Sequence, residues 1–303
     1  MFLARPDYYG CCLPPEGIVA AAHARGMRIL VDEAHGAHFP WSDGMASAGA
    51  LGADAWVQSV HKTLPGLTGS AVLHLRQEAD HARALRLLRR EQTSSPSFLQ
   101  LMSIDDARAF MEERGAARLA AVAKAVDTVR DALPALGYGD AHAMWRDTGM
   151  TFDRTRLVID APQGGAALAA ALQEKGVDAE MHDRRRVVLI LSAMDEPAEV
   201  LRLIPILKDI PPYGSDMEPL PNLLPVPQRA MEVRPAAMAD CESVPLMKCA
   251  GRIAAVPAGL YPPGVPLVCP GERVTLEIAD CLANAKNQER FGVEGDTLLC
   301  VSV

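Results

Sequence analysis

Val31-Asp32-Glu33-Ala34-His35-Gly36-Ala37-His38 and Ser59-Val60-His61-Lys62-Thr63-Leu64-Pro65 are the two stretches on which the fold of this chain turns. Each follows a short apolar run. Residues 27–31 stop at Asp32, as a buried parallel strand does when a polar residue closes its carboxyl end. Residues 55–59 form a second such run, ending just before His61-Lys62, and residues 70–75 a third. Strands separated by helix or loop imply a parallel or mixed sheet. Ligands of open α/β sheets bind beyond the carboxyl ends of strands, which is where Asp32 and Lys62 both fall.

Working outward, residues 16–25 are expected to be helical, with Gly26 as the C-cap. Residues 77–91 and the Ala-rich stretch 103–133 are further helices, the second ending near Pro134. A strand at 156–159, a helix at 165–175, a strand at 187–191 and a helix at 197–207, with Pro197 in its first turn, then follow. That β-α-β-α order implies a small α/β domain. Residues 210–235 are proline-rich and extended. The last unit carries the loop Tyr261-Pro262-Pro263-Gly264-Val265-Pro266 and a helix at 275–285. The expected organisation is a partial large domain (1–135), a small α/β domain (136–209), a linker (210–237) and a C-terminal domain (238–303).

Composition is that of an ordinary globular chain, 49% apolar and 22% charged over 303 residues. A formal net charge of −8 argues against a broad nucleic-acid surface, which needs clustered Lys and Arg. The seven cysteines show no C-x-x-C or zinc spacing, so reduced thiols are expected. No signal peptide and no apolar run near the ~20 residues of a membrane span is seen. The expectation is a soluble, cytoplasmic protein without nucleic-acid or membrane partners.

A pyridoxal-phosphate enzyme needs a lysine to hold the cofactor aldehyde as a Schiff base. It also needs a carboxylate to keep the pyridine nitrogen protonated. Asp32 at a strand end and Lys62 thirty residues on meet both needs. Lys62 is the only lysine before Lys124, although the chain holds 30 Lys plus Arg, and an Arg could not form the Schiff base. Other readings of the same residues exist. Asp-Glu-Ala-His matches a helicase Walker B box, but no upstream G-x-x-x-x-G-K-[ST] accompanies it. His35-x-x-His38 could be a metal pair, but it follows a strand and lacks the H-E-x-x-H pattern, so no metal is expected.

These two segments resemble the cofactor-binding signatures of the ornithine/lysine/arginine decarboxylases, a branch of the aspartate-aminotransferase-like (fold type I) enzymes. The resemblance extends through Leu67-Thr68, Leu73-His74, Gln92-Thr93-Ser94-Ser95-Pro96-Ser97-Phe98 and Pro6-Asp7-Tyr8-Tyr9-Gly10. It continues near the end in Gly251-Arg252-Ile253 and in the stretch from Tyr261 to Glu272. It implies a PLP-dependent transferase-like large domain with an incomplete mixed sheet, a small α/β domain and a C-terminal decarboxylase-family domain. By the same resemblance Lys62 carries pyridoxal 5'-phosphate, Asp32 pairs with its ring nitrogen, and His35 lies near the ring hydroxyl or substrate. Ser59 and His61 meet the phosphate. Thr93 or Ser94 reaches a phosphate or substrate across a dimer interface, or forms a turn before Pro96. Glu272 reads the distal cationic group of the substrate, or is a first-turn helix carboxylate.

The implied reaction is α-decarboxylation of arginine, lysine or ornithine to the amine and carbon dioxide, as in polyamine biosynthesis, with Lys62 and His35 both open for the proton step. Family members carry a long segment before the D-E-A-H strand, holding the early strands and the phosphate cradle. The expectation is therefore an N-terminally truncated chain that works with an N-terminal partner chain or in a homodimer or higher oligomer. The alternatives are a non-catalytic pairing subunit, or another fold type I enzyme such as an aminotransferase.

Overall fold

The computed structural model describes residues 1–13, 15–212, 224–261, 264–285 and 289–302. Pro262 and Pro263 of the Pro/Gly loop, and residues 213–223 of the proline-rich stretch, lie outside the described residues. The chain divides into two compact units, Met1–Ser215 and Asp216–Val303.

The first unit is built on a four-stranded mixed sheet. Phe2–Ala4, Leu30–Asp32 and Ala55–Ser59 lie side by side and parallel, and Ala71–Leu75 pairs antiparallel at the far edge. The second strand is shorter than the apolar run from residue 27 predicts. The Asp54 carboxylate accepts from Ile29 N at 2.8 Å, and Ile29 O accepts from Asp54 N, so the ladder starts only at Leu30. Helix Pro15–His23 lays Val19 and Ala22 against Ile29 and Val31, with Ala48, Ala53 and Trp56 completing the cluster. Side chains alternate along strands, so Phe2, Leu30, Asp32, Val57, Ser59 and Leu73 share the opposite face. Phe2, Leu30 and Leu73 there are 69, 47 and 43% exposed. Asp32 thus stands on an apolar sheet face that the described residues leave open.

A second sheet runs in the order Gly139–Asp140, Arg156–Asp160, Arg186–Ile190, Met181–His182, with every pairing antiparallel. Helix Gly165–Glu174 separates its two central strands, yet they pair antiparallel rather than as a parallel β-α-β unit. Leu157, Ile159, Val187 and Leu189 pack on Leu168 and Leu172 of that helix and on Val122, Val126 and Val129 of helix Ala116–Ala132. That helix continues a helical stretch that begins earlier than expected, at Phe98, and passes through a wider π-type turn at Met111–Gly115. Ser97 caps its start by accepting from Gln100 N. The expected helix at 197–207 is two short ones, Pro197–Leu201 and Leu203–Asp209. Cys11–Cys12 pairs with Thr151–Phe152 in a separate two-stranded sheet, tying the segment after the first strand to the stretch that leads into the small sheet.

The second unit holds strands the sequence did not announce. Cys241–Pro245, Thr297–Val301 and Val293–Glu294 form one sheet, and Pro266–Val268, Ala258–Tyr261 and Glu289–Phe291 another. Helix Leu276–Asn284, capped by Thr275, buries Ile278, Ala279 and Leu282 against Val244, Leu246 and Leu298. Residues 228–237, placed in the linker on sequence, lie in this unit. Gln228 O accepts from Arg273 N, Ala230 N and Met231 N donate to Gly271 O, and Val233–Ala237 is helical.

Candidate active site

The loop after the second strand is set by local chemistry. Asp32 Oδ1 accepts from Ala34 N at 3.0 Å, an Asx turn that reverses the chain just past the strand end. Gly36 follows where nothing larger fits. A Cβ there would lie 2.7 Å from Glu33 Cγ and from the Phe39 ring. His35 and His38 are thereby folded inward, 9 and 1% exposed.

Glu33 anchors this turn from below. It is fully buried and accepts from Ala48 N at 2.8 Å, Gln58 Nε2 at 2.7 Å and Arg5 Nη1 at 3.2 Å. Gln58 in turn accepts from His74 Nε2 at 3.0 Å, and His74 stacks on Trp56 with ring centroids 4.7 Å apart. Burial pushes the Glu33 carboxyl up to about 7, against the downward pull of Gln58, Ala48 and Arg5.

Ser59 ends the third strand, and the chain enters the short helix Val60–Thr63. The Ser70 carbonyl accepts from Val60 N and from His61 Nδ1, both at 2.9 Å, which fixes the His61 ring. One residue on, Lys62 Nζ lies 3.1 Å from His35 Nε2. Where Lys62 is an ammonium it only donates, so Nε2 accepts and the His35 proton sits on Nδ1, a buried atom with no hydrogen-bond partner among the described residues. Burial, with the cations of Arg156 and Lys62, pushes the His35 imidazole down to about 3. The ring is therefore uncharged at neutral pH.

Of the residues selected on sequence, the structure brings His35 and Lys62 into contact, and places Asp32 and Ser59 on one sheet face at adjacent strand ends. His61 turns to the Ser70 carbonyl beside them. Thr93 and Ser94 stand apart, exposed in the loop between helices His81–Glu91 and Phe98–Phe110, where Thr93 Oγ1 accepts from Ser95 N. Glu272 belongs to the second unit. It is not the first-turn carboxylate of helix Leu276–Asn284; its Oε2 accepts from Cys269 N at 2.8 Å and closes a turn.

Sequence reasoning missed Tyr8, Asp153 and Arg156. The Tyr8 ring packs on His35, with centroids 4.9 Å apart and tilted by 55°. The only hint of Arg156 was a charge heading the apolar run Leu157-Val158-Ile159, in a position that proves fully buried. His38, considered for a metal, instead lies 3.1 Å from Asp153 Oδ2.

Comparison with known proteins places this geometry in a family. The model of the Orn/Lys/Arg decarboxylase major domain matches residues 1–153, and that of the Orn/Lys/Arg decarboxylase C-terminal domain matches residues 217–291. The chain belongs to the Orn/Lys/Arg decarboxylase family. The uncharacterized protein YaaO of Bacillus subtilis is 32% identical over 91% of this chain and 60% of its own length. An arginine decarboxylase of Bacillus subtilis is 30% identical over 91% of this chain and 59% of its own. The chain thus spans about 60% of the length of these curated relatives. Among solved structures, the Francisella novicida lysine decarboxylase LdcF superposes with a TM-score of 0.80 at 18% identity, over 99% of this chain and 56% of that one. Serine palmitoyltransferase from Sphingomonas wittichii matches 69% of this chain and 53% of its own, with a TM-score of 0.53 at 18% identity. The fold is thus that of the decarboxylases and of PLP-dependent transferases, with a decarboxylase-family domain at its C-terminal end. Among the described residues no helix is long and apolar enough to cross a membrane.

Proposed function

We propose that this chain carries the cofactor lysine of a pyridoxal-phosphate-dependent decarboxylase acting on a basic amino acid, arginine or lysine. The observation that carries the reading is the contact of Lys62 with an uncharged His35, next to a strand-end carboxylate in the family's major domain. Relatives are named arginine decarboxylases, and structural neighbours include lysine decarboxylases and serine palmitoyltransferase with PLP.

The residues present fit the cofactor. Asp32 offers one carboxylate oxygen beyond the one turned to Ala34, and would hold the proton on the pyridine nitrogen. The Lys62 amine would carry the aldehyde carbon. Ser59 offers a hydroxyl to the phosphate. His61, with Nδ1 donating to Ser70, can donate to a phosphate from Nε2 only as a cation. Bound pyridoxal phosphate supplies an electron sink for the pair left when the carboxylate leaves the α-carbon. His35 orients the lysine, and one of the two holds the proton that replaces carbon dioxide.

The open face that carries Asp32 calls for a cover. Its exposed Phe2, Leu30 and Leu73 would associate with any complementary apolar surface. We assign that cover to the remaining portion of the family's length, on a partner chain or as further polypeptide. We also assign Thr93 and Ser94, exposed on this chain, to the site of a second copy in a homodimer or higher oligomer. Residues 136–209 act as the small domain of each copy.

Pyridoxal phosphate is added to the chain, the adduct is reduced with borohydride and the modified lysine is mapped by mass spectrometry. Label on Lys62, absent in Lys62→Ala, is expected, with weak binding by the chain alone that tightens when the covering polypeptide is co-expressed. Label spread over several lysines would remove the basis of the proposal. Release of carbon dioxide from arginine, lysine and ornithine by the co-expressed pair then assigns the substrate. No release from any of the three would favour a non-catalytic pairing subunit.

A further inference from the structure

Behind His35 lies a buried set of charged groups that the proposed reaction does not use. Arg156 heads the first long strand of the small sheet and is fully buried. Its Nη1 donates to Tyr8 O at 2.9 Å, and the Tyr8 ring is the one that packs on His35. Its Nη2 lies 3.9 Å from Asp153 Oδ2, an ion pair too long for a hydrogen bond, and neither Nε nor Nη2 has a hydrogen-bond partner among the described residues. Asp153 is 2% exposed. Its Oδ1 accepts from Thr155 N at 3.0 Å and from Thr155 Oγ1 at 2.6 Å, while its Oδ2 faces His38 Nε2 at 3.1 Å. His38 sits on the same turn as His35. The turn after Asp32 is thus clamped by His38–Asp153 against the segment leading into the small sheet, and by His35–Tyr8–Arg156 against the sheet's strand Arg156–Asp160.

A guanidinium cannot give up its charge, and this one is only partly neutralised. Its field therefore reaches His35, which faces charge from two elements besides its own. Lys62 approaches from the helix after the third strand, and Arg156 and Asp153 from the small sheet, with His38 on its own turn. Burial first, and the two cations after it, disfavour an imidazolium, and the Asp153 carboxylate pulls the other way but is engaged by Thr155 and His38. A histidine so placed is a good acceptor and a poor proton carrier.

We propose that Arg156, through Tyr8 and backed by the Asp153–His38 pair, is a positioning residue that holds His35 as a hydrogen-bond acceptor toward Lys62 and out of the proton step. This rests on the reading of Lys62 as the cofactor lysine. It decides between the two groups that sequence left open. In the proton step Lys62 gives up one ammonium proton and becomes the free amine. His35 accepts a hydrogen bond throughout and keeps its single proton on Nδ1.

The test is a histidine NMR titration of the full chain without cofactor, with the His35 signal assigned by its loss in His35→Gln. In the unsubstituted protein His35 should stay neutral down to the lowest pH at which the chain remains folded. Arg156→Met should raise its midpoint, and Arg156→Lys should restore most of the low value. A His35 midpoint in the ordinary histidine range in the unsubstituted protein would overturn the proposal without any variant at Arg156. So would a midpoint that Arg156→Met leaves in place. If the lysine-mapping experiment fails while these shifts appear, the cofactor reading is wrong and the clamp stands. If Lys62 is labelled while the shifts are absent, the clamp is wrong and the cofactor reading stands.

Discussion

The buried pair Arg5–Glu33 lies directly under the turn that presents Asp32 and His35, and its two halves should fail differently when the partner is removed. The Glu33 carboxyl is raised from 4.5 to about 7, because burial outweighs its three donors. A folded value above the unfolded one gives stability that is complete below about 4.5 and is lost as pH rises toward about 7. At about 1.4 kcal/mol per unit the loss totals about 3 kcal/mol. Replacing Arg5 by Met removes a cation that pulls the carboxyl down, so the folded value climbs further. Above pH 7.5 the unsubstituted protein has no more to lose from this group, whereas Arg5→Met should go on losing up to about 1.4 kcal/mol per pH unit. Its cost should therefore grow between pH 7.5 and 9, by at most about 2 kcal/mol. Glu33→Gln leaves the opposite partner stranded. Arg5 stays charged and nearly buried, keeping only Ala46 O at 2.8 Å and the Phe39 ring at 5.1 Å. Its cost, about 3 kcal/mol, should not change across the same range. Urea unfolding at pH 7.5 and 9, followed by tryptophan fluorescence, separates the two, because Trp41, Trp56 and Trp145 all lie in the first unit. A cost of Arg5→Met that stays level with pH would show that Arg5 does not hold the Glu33 carboxyl down.

Three further outcomes follow from the same structure. Gly10 has φ +83°, and a Cβ on it would stand 3.0 Å from Arg156 Cβ and Cγ, so Gly10→Ala should cost about 1–2 kcal/mol in urea unfolding. Thr275→Ala removes the acceptor for Ile278 N and should cost the second unit about 1 kcal/mol, read from amide exchange in helix Leu276–Asn284. The folded value of His35 lies below its unfolded 6.5, so its contribution is intact above 6.5 and is lost as pH falls toward about 3. His35→Gln should accordingly flatten the acid side of the stability profile by about 1 kcal/mol per pH unit, and an unchanged acid slope would count against a buried neutral ring.

Local pattern was enough to find the strand at Ala55–Ser59, the carboxylate at the end of Leu30–Asp32 and the lysine beyond Ser59, because strand periodicity and the polar residue at a strand's end are properties of neighbouring residues. Helix Gly165–Glu174 was legible for the same reason, within one residue. What escaped was set by contacts distant in sequence. The antiparallel pairing of Arg156–Asp160 with Arg186–Ile190 depends on how a connecting helix packs, which no local period encodes. The strand Phe2–Ala4 is defined only by its neighbour Leu30–Asp32. Glu272, read as a substrate contact or a first-turn helix carboxylate, instead precedes that helix, with one carboxylate oxygen accepting from an amide three residues away.

Neighbouring residues alone mark out the candidates for chemistry: a strand-end acid, one lysine in a lysine-poor stretch and a histidine between them. The state of that histidine is set by groups that only the folded chain brings together. Its neighbours Tyr8 and Arg156 are 148 residues apart and meet when the small sheet closes over the turn. Burial and through-space charge set a proton's affinity, and both depend on distance in space rather than along the chain.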